Sequence, residues 1–313
     1  MDTTQTKTPM PDLPTSSAVQ KTRTADTPAA AGAKVCFPSH MAADTHEMDE
    51  DQFLFLQQLL TGKTGIRFRD RNHLSRKLGS RLRALRMKTY APYIELIKKD
   101  SAEIPRAIEA ITTNETFFFR DFIHLVALEK YLDKHRDATR AFKIWSAASS
   151  SGEEVYSIAI TVHAWAATRR VSPHSIKIIG SDIDRAVLKR ATEGLYHSYQ
   201  IERTPKNYKS FLLRYLEQND EDYFSVKPHI KKMVCFKRFN LTQTLPFNQT
   251  LDVIFCRNVF LYFNQNLRNQ IFTGMHRALR PGGLLIMGQC EPIPVDLPLG
   301  FKYVGNSMYM KTD

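Results

Sequence analysis

The sequence lacks the cysteine and histidine patterns of a metal-binding or disulfide-bonded protein. Its ten histidines show no metal-ligand spacing, and its cysteines form no Cys-x-x-Cys pair. The cysteines are far apart in the chain, at Cys36, Cys235, Cys256 and Cys290. These absences exclude a disulfide framework and a zinc ribbon, and a reducing cytoplasm is the compartment that fits best. We expect no metal site.

Long apolar runs and phosphate-binding glycine loops are also absent. No stretch approaches the roughly 18 apolar residues of a membrane helix, and the N-terminus is polar where a signal peptide is apolar. Neither Gly-x-Gly-x-x-Gly nor the complete P-loop pattern occurs, which argues against a standard dinucleotide site and a P-loop. We therefore expect a cytoplasmic protein without membrane insertion.

Positive charge is in excess. The chain has 44 Lys and Arg against 32 Asp and Glu, a formal net charge of +12, although 42% hydrophobic residues are ordinary for a globular protein. This excess predicts attraction to nucleic acid, to an anionic membrane surface or to an acidic protein. Residues 66–88 alone contain nine Lys or Arg against one acid, Asp70.

The composition changes along the chain and predicts several segments. Residues 1–47 have almost no large apolar side chains and cannot offset the entropy of ordering, so we expect a disordered tail. Leucines and aromatics at helical spacing predict a small helical N-terminal domain over residues 48–112. Residues 113–135 are expected to form a linker and a linker helix, and residues 136–313 the main domain. Within it, residues 197–232 break the pattern and are interpreted as an inserted subdomain.

Short apolar strands alternate with helical patterns in the main domain, which predicts a mostly parallel sheet with helices on both faces. The predicted strands are Phe142–Ala147, Ile176–Asp182, Val234–Phe239, Leu251–Cys256 and Leu284–Gly288. The predicted helices between them are Gly152–Thr168, Arg185–Gly194 and Gln265–Leu279. Residues Phe301–Met310 predict a closing antiparallel hairpin.

Polar side chains stand at the ends of four predicted strands, where open α/β sheets bind ligands. Glu153 and Glu154 follow the first strand, and Asp182 ends the second, where it can accept hydrogen bonds from ribose hydroxyls. Asn240 and the pair Arg257–Asn258 follow two later strands. Each is equally well explained alone as a cap or turn residue. Together they predict a pocket for an adenosine-bearing ligand that is not a dinucleotide.

Six motifs occur in a characteristic order over about residues 50–312. They are Thr113–Arg120 (TNETFFFR), Ser151–Ser157 (SGEEVYS), Gly180–Asp184 (GSDID), Phe239–Leu241 (FNL), Phe255–Val259 (FCRNV) with Tyr262 and Phe263, and Leu279–Leu284 (LRPGGL). In these motifs the sequence resembles the chemotaxis-receptor glutamate methyltransferases of the CheR type, which use S-adenosylmethionine.

The resemblance implies an α/β class I methyltransferase: a Rossmann-like, mostly parallel sheet with a C-terminal antiparallel hairpin, preceded by a small all-α domain and carrying a small inserted β-subdomain. It implies S-adenosylmethionine as cofactor and S-adenosylhomocysteine as product. The cofactor contacts that it carries over are Asn114, Thr116, Arg120, Glu154, Asp182, Asn240, Leu241, Arg257 and Asn258. Glu154 is preferred to Glu153 because the family often has Gln at the first position.

The stretch TTNETFFFRD, residues 112–121, sets three phenylalanines beside an arginine. By the resemblance, Asn114 and Thr116 hold the methionine end of the cofactor. Arg120 orients carboxylates of the cofactor or of the substrate glutamate through forked hydrogen bonds. Tyr262 is the second candidate catalytic residue and positions the substrate. Phe117–Phe119 either wall the site or form interdomain core, and we expect at least two of them in the core.

Arg69, Arg76 and Arg83 recur every seven residues and are expected as a stripe on one helix, away from its leucine face. Such a run is either a solvated face or a docking surface for an acidic partner. The resemblance implies a partner: the cytoplasmic methylation helices of membrane chemoreceptors. We then expect a monomeric protein-glutamate O-methyltransferase that is recruited to receptor arrays, binds no nucleic acid and acts in chemotactic adaptation.

Two alternatives remain open. The first is a methyltransferase for another substrate, such as RNA or a different acidic protein, which the high net charge allows. Against RNA, the basic helix has leucine on its apolar face and lacks the interleaved aromatic residues that are typical of single-strand binding. The second alternative is a non-catalytic module that senses S-adenosylmethionine, against which the presence of Arg120 and Tyr262 argues.

Overall fold

The structure is a computed structural model and describes residues 47–135, 141–293 and 300–312. Apart from Glu47, the predicted disordered tail, residues 1–47, lies outside the described residues. No helix within the described ranges is long and apolar enough to cross a membrane.

The N-terminal part of the described chain is helical. Its helices are α1 (Glu50–Thr64), α2 (Arg71–Ala84), α3 (Tyr90–Lys99) and α4 (Glu103–Ile111), and together they are called the helical lobe. Leu56, Leu78 and Tyr93 have no exposed surface and belong to one buried core between these helices. Each such side chain contributes about 1.5–3 kcal/mol by its burial. The helical spacing of the leucines in the sequence is thus explained.

The prediction that three arginines form a stripe on one helix is wrong for Arg69. Asp70 has an extended backbone, and its side chain accepts a 2.8 Å hydrogen bond from the His73 amide, so it caps α2 and the helix begins at Arg71. Arg69 therefore lies before the cap, outside the helix. Arg76 and Arg83 lie on α2 and are exposed.

The rest of the chain combines strands and helices. The strands are β1 (Phe142–Ala147), β2 (Ile176–Asp182), β3 (Leu195–His197), β4 (Leu216–Gln218), β5 (Tyr223–Val226), β6 (Val234–Arg238), β7 (Leu251–Cys256), β8 (Leu279–Met287), β9 (Phe301–Gly305) and β10 (Met308–Lys311). The helices are α5 (Ile123–Lys134), α6 (Glu153–Arg169), α7 (Arg185–Glu193), α8 (Ser198–Glu202), α9 (Lys206–Leu213), α10 (Pro228–Lys231) and α11 (Gln265–Ala278).

A seven-stranded sheet has the order β6-β2-β1-β7-β8-β10-β9. The first five strands of this order pair in parallel, and β10 pairs antiparallel with both β8 and β9. The predicted mostly parallel sheet with a closing antiparallel hairpin is confirmed. Every residue of β7 is buried, which is expected where helices cover both faces of a parallel sheet.

A second, three-stranded antiparallel sheet has the order β3-β5-β4. The resemblance implied a small inserted β-subdomain, and its sheet includes β3, which begins before residues 197–232. β3 begins at Leu195, directly after Gly194, which ends α7. It has three residues and is too short to give an alternating pattern of its own.

Candidate active site

A cavity opens where the carboxyl ends of the central parallel strands face the helical lobe. Its volume is about 1120 Å³ with its open mouth included. All predicted cofactor and catalytic residues line it, namely Asn114, Thr116, Arg120, Glu154, Asp182, Asn240, Leu241, Arg257, Asn258 and Tyr262. The predicted docking residues Arg69, Arg76 and Arg83 are exposed and lie outside this lining. The structure thus brings residues from separate motifs to one place.

Asp182, the last residue of β2, is held by backbone amides. Its Oδ2 accepts a 2.9 Å hydrogen bond from the Ser150 amide, and its Oδ1 accepts a 3.0 Å hydrogen bond from the Asp184 amide. Burial raises the pKa of Asp182, and these amide hydrogen bonds act in the opposite direction. The carboxylate is therefore fixed in orientation before any ligand arrives.

Glu154 belongs to an ionic network at the base of the cavity. Its Oε1 accepts a 2.7 Å hydrogen bond from the Ser146 hydroxyl, and its Oε2 accepts one of 2.9 Å from Arg257 Nη1. Arg257 also donates from Nη2 to the Arg120 carbonyl oxygen at 3.0 Å and pairs with Asp121. The Arg257 side chain thus links the cavity carboxylate to the backbone of Arg120 and to the residue that follows it.

Glu153, the other candidate of the acidic pair, points elsewhere. It is 1% exposed, and its carboxylate accepts hydrogen bonds of 2.7 Å from the Ser151 hydroxyl and 2.9 Å from Gln200 Nε2. It does not belong to the cavity lining, whereas Glu154 does. This geometry supports the preference for Glu154.

The phenylalanines of TTNETFFFRD divide into two roles. Phe118 and Phe119 are buried; Phe118 packs edge-on against Tyr196 at 4.8 Å, and Phe119 stacks on Tyr208 at 5.1 Å between ring centroids. Phe117 instead lines the cavity. The expectation that at least two phenylalanines are core is confirmed, and their partners lie in β3 and α9.

Left-handed backbone conformations concentrate around the cavity. Phe119 and Asp121, on either side of Arg120, have φ of 57° and 50°, and three lining residues share this region: Ala148 (58°), Ser150 (50°) and Asn258 (59°). Such conformations cost non-glycine residues about 1–3 kcal/mol each and cluster at functional sites. The surrounding contacts, such as the 2.9 Å hydrogen bond from the Phe119 amide to Ser157 Oγ, hold the strained loop.

Asn114 uses its side-chain amide inside the protein. Its Nδ2 donates to Asp184 Oδ2 at 2.7 Å and to Thr112 Oγ1 at 3.1 Å. The backbone carbonyl oxygen of Asn114 accepts a hydrogen bond from the Ser150 hydroxyl at 3.0 Å. Asp184 also caps α7 through its other oxygen. The amide nitrogen of Asn114 is therefore a structural group that joins the linker to the end of β2.

The segment between α1 and α2 closes the cavity from the side of the helical lobe. The Arg67 amide donates to the Tyr262 carbonyl oxygen at 3.0 Å, and Asn240 Nδ2 donates to the Lys63 carbonyl oxygen at 2.8 Å. Gly65 lies between these contacts with φ of 73°, and an added Cβ would come within 2.2 Å of Leu267 Cδ2. Glycine allows this close approach and this backbone conformation.

Gly65→Ala is expected to lower the free energy of unfolding by about 1–2 kcal/mol through backbone strain, and by more unless Leu267 moves aside. Cofactor affinity should fall as well, because Thr64 and Ile66 line the cavity on either side of Gly65. Denaturant unfolding and calorimetric titration with S-adenosylhomocysteine measure both effects.

Gly62→Ala is the matched control, because an added Cβ at this helical residue has nothing within 4 Å. It should leave stability unchanged or raise it by up to about 1 kcal/mol, since alanine favours a helix interior. Equal behaviour of the two variants would contradict this account of the closure.

One buried acid beside the site was not predicted. Glu291 is 5% exposed, and its carboxylate accepts hydrogen bonds from the amides of Asn258, Leu261 (3.3 Å) and Gly288 (3.2 Å). Burial raises its pKa. It supports the segment that carries Asn258 and Tyr262. Its place shortly after β8 is the same kind of strand-end signal that marks the other acidic residues of the site.

The cavity residues fit the cofactor that the motifs imply. Within the described part of the chain, the buried Ser149 Oγ and Arg257 Nε have no hydrogen-bond partner, and both residues line the cavity. Native proteins pair nearly all buried polar atoms, so these two are available to a polar ligand. The described residues contain no group of three or more side chains that could hold a metal ion.

Comparison with protein families decides the relationship. Residues 51–112 match the family described as CheR methyltransferase, all-alpha domain, and residues 114–310 match CheR methyltransferase, SAM binding domain. The chain belongs to the CheR methyltransferase family. This CheR methyltransferase is an enzyme that uses S-adenosylmethionine, and its class I fold follows the architecture described above.

Curated relatives of this CheR methyltransferase cover most of its chain. The chemotaxis protein methyltransferase of Borreliella burgdorferi is 34% identical over 255 residues, which is 78% of this chain and 89% of the relative. That of Escherichia coli is 33% identical over 78% of this chain and 85% of the relative. Chemotaxis protein methyltransferase 2 of Pseudomonas aeruginosa is 36% identical over 69% of this chain and 76% of the relative.

Proposed function

We propose that this protein transfers the methyl group of S-adenosylmethionine to glutamate side-chain carboxylates of chemoreceptors, which forms methyl esters. The observation that carries the proposal is one cavity lined by the fixed carboxylates of Asp182 and Glu154 and by Arg120. Within the described residues, the Arg120 guanidinium makes one hydrogen bond, from Nη1 to the Glu115 carbonyl oxygen at 3.2 Å. With the other described residues its remaining N–H groups make no hydrogen bond, so they can bind a carboxylate.

The proposed cofactor contacts are carried over from the family resemblance, and all of these residues line the cavity. Asp182 accepts hydrogen bonds from the ribose hydroxyls, and Glu154, Asn240 and Leu241 are further cofactor contacts. The other contacts are assigned to Asn114, Thr116, Arg120, Arg257 and Asn258. When bound, S-adenosylmethionine would supply a methyl group attached to a positively charged sulfur: the methyl carbon would bond to a carboxylate oxygen of the substrate, and the electrons of the broken carbon–sulfur bond would stay on sulfur.

No general base is proposed, because a glutamate side chain is already ionised at neutral pH. The protein instead contributes position and exclusion of water. Arg120 orients a carboxylate of the cofactor or substrate, and Tyr262 positions the substrate from the segment that Glu291 supports. Correct placement of reacting groups supplies up to roughly 7–11 kcal/mol of the barrier reduction.

Incubation with tritiated S-adenosylmethionine, with receptor-enriched membranes in one reaction and RNA in another, tests the proposal. Label that enters receptor protein and is released as volatile methanol by mild base indicates a carboxyl ester. Mass spectrometry of the labelled receptor should place the methyl groups on glutamate. Base-stable label, or label in RNA, would reject the proposal.

The domain roles are part of the proposal. Residues 48–112 form the substrate-docking domain, residues 113–135 the linker and its helix, and residues 136–313 the methyltransferase domain with residues 197–232 inserted. The enzyme would act as a cytoplasmic monomer at receptor arrays. The docking surface consists of Arg76 and Arg83 on α2, with Arg69 before it.

The charges on α2 are not equally available for docking. Arg81 is committed to the buried Glu103, to which it donates two hydrogen bonds of 2.6 and 2.5 Å. Arg76 and Arg83 are exposed, and no ion pair of theirs is present within the described ranges. These two arginines are therefore open to an acidic methylation helix.

Arg76→Glu combined with Arg83→Glu should raise the KM for receptor by about 10-fold or more at low salt, because attraction becomes repulsion. Steady-state methylation of receptor-enriched membranes measures this. The same charge change on α7, Lys189→Glu with Arg190→Glu, is the control and should have little effect. An unchanged KM for the α2 variant would count against docking through this helix.

A further inference from the structure

Arg203, which the sequence motifs do not mark, reaches the mouth of the cavity from the inserted region. It directly follows α8, and its guanidinium lies 5.5 Å from the centre of the Phe117 ring. It also pairs with the carboxylate of Glu115. Phe117 and Glu115 both line the cavity, so this guanidinium lies directly beside the cavity lining.

A second guanidinium shares the same aromatic ring. Arg120 lies 5.6 Å from the centre of the Phe117 ring, and it contacts the backbone oxygen of Glu115 and not its carboxylate. Two cations and one carboxylate thus meet at the mouth, with one positive charge in excess. Guanidinium groups stacked on an aromatic ring keep their in-plane N–H groups directed outward for carboxylate binding.

The pair between Arg203 and Glu115 is exposed and can exchange partners. The side chains are 39% and 64% exposed, and pairs of this kind contribute about 0–1 kcal/mol to stability. The inserted region is already attached by the buried ring contact between Phe118 and Tyr196 and by the hydrogen bond from Gln200 to Glu153. The fold therefore does not depend on this ion pair.

We propose that Arg203 is a carboxylate-binding residue for the protein substrate and that Glu115 occupies it until substrate arrives. The occupant is an acidic side chain of the substrate other than the glutamate that is methylated. This inference rests on the proposed function and deepens it. The substrate would contact Arg203 of the inserted region in addition to the docking surface on α2. Glu115 then acts as an internal competitor.

Competition predicts opposite effects for the two partners. Arg203→Ala should raise the KM for receptor about 10-fold, because a charged contact is lost. Glu115→Gln should lower that KM by about 3-fold, because it removes the competitor for the guanidinium. In the double variant the KM should equal that of Arg203→Ala. Steady-state methylation of receptor-enriched membranes at low salt measures all three, and the effects should shrink in high salt.

Arg214→Ala is the matched control. Arg214 belongs to the same inserted region and stacks on Phe211 at 4.8 Å, and neither residue is part of the cavity lining. It should leave the KM for receptor unchanged. Calorimetric titration with S-adenosylhomocysteine should give the same Kd for Arg203→Ala as for the unmodified protein, which shows that the cofactor site is intact.

A purely structural strut gives a different result. Arg203→Ala and Glu115→Gln would then both weaken the enzyme, with a changed Kd for S-adenosylhomocysteine, and the proposal would be overturned. If the unmodified protein methylates receptors normally and Arg203→Ala has an unchanged KM for receptor, the proposed substrate contact is overturned and the proposed function stands. If the unmodified protein does not methylate receptors at all, the proposed function fails and this contact with it.

Discussion

Arg120→Ala is expected to lower kcat/KM for receptor methylation by roughly 100- to 1,000-fold. Arg120 lines the cavity, and under the proposed function its replacement removes a forked carboxylate contact and with it the alignment of the reacting groups. Stability should change by no more than about 1 kcal/mol, because within the described residues Arg120 makes one hydrogen bond and one ring contact through its side chain. Methylation assays and denaturant unfolding separate the two effects.

Two further variants sharpen this test. Arg120→Lys keeps the charge and loses the fork, so it should recover little of the rate. Arg106→Ala removes an arginine that is 51% exposed on the helical lobe and should behave like the unmodified protein. Equal rates for Arg120→Ala and the unmodified enzyme would remove Arg120 from the site.

Asp182→Asn is expected to weaken S-adenosylhomocysteine binding by about 100-fold. The carboxylate is the proposed acceptor for two ribose hydroxyls, and charge-assisted hydrogen bonds contribute about 1.5–3 kcal/mol each. In the unmodified protein the backbone amides of Ser150 and Asp184 donate to the Asp182 carboxylate. The variant places an NH2 group, which is itself a donor, near one of these two amides. Because burial raises the pKa of Asp182, the unmodified protein should lose affinity in the same way as the pH falls through that pKa.

Glu153→Gln is the matched control for Asp182→Asn, because it neutralises a neighbouring buried acid outside the cavity lining. Its Kd for S-adenosylhomocysteine should stay within about 3-fold of the unmodified value. Glu154→Gln should weaken binding, since Glu154 lines the cavity. If Glu153→Gln gave the larger loss, the choice between the two acids would be reversed.

Much of the fold could be predicted because burial leaves a local signal. The bounds of Phe142–Ala147, Ile176–Asp182 and Leu251–Cys256 agree with the structure. Central strands of a parallel sheet are covered on both faces, so in the sequence they appear as continuous apolar runs with turn residues at both ends. Edge elements carry a weaker signal: β3 and β4 have three residues each, and β3 pairs with β5, many residues away in the chain.

The candidate site was predictable for a related reason. Strand ends of one parallel sheet must meet at one edge, so the order of strands along the chain is enough to group Asp182, Asn240 and Arg257. Glu291 carries the same strand-end signal but was not predicted, whereas Arg203 has no such signal, because its contacts with Glu115 and Phe117 join segments that are far apart in the chain. The heptad spacing of the arginines misled for Arg69, since α2 begins only after the cap at Asp70.

The stretch TTNETFFFRD shows where the limit lies. By itself the sequence determined the order of the strands' motifs, the cofactor class and the pairing of aromatic surface with Arg120. Tertiary structure decided which phenylalanine faces the cavity, because Phe118 and Phe119 find ring partners in β3 and α9, and it set the left-handed turns at Phe119 and Asp121. Those turns are unfavourable locally and are held by distant partners such as Ser157 and Arg257, which no local pattern can reveal.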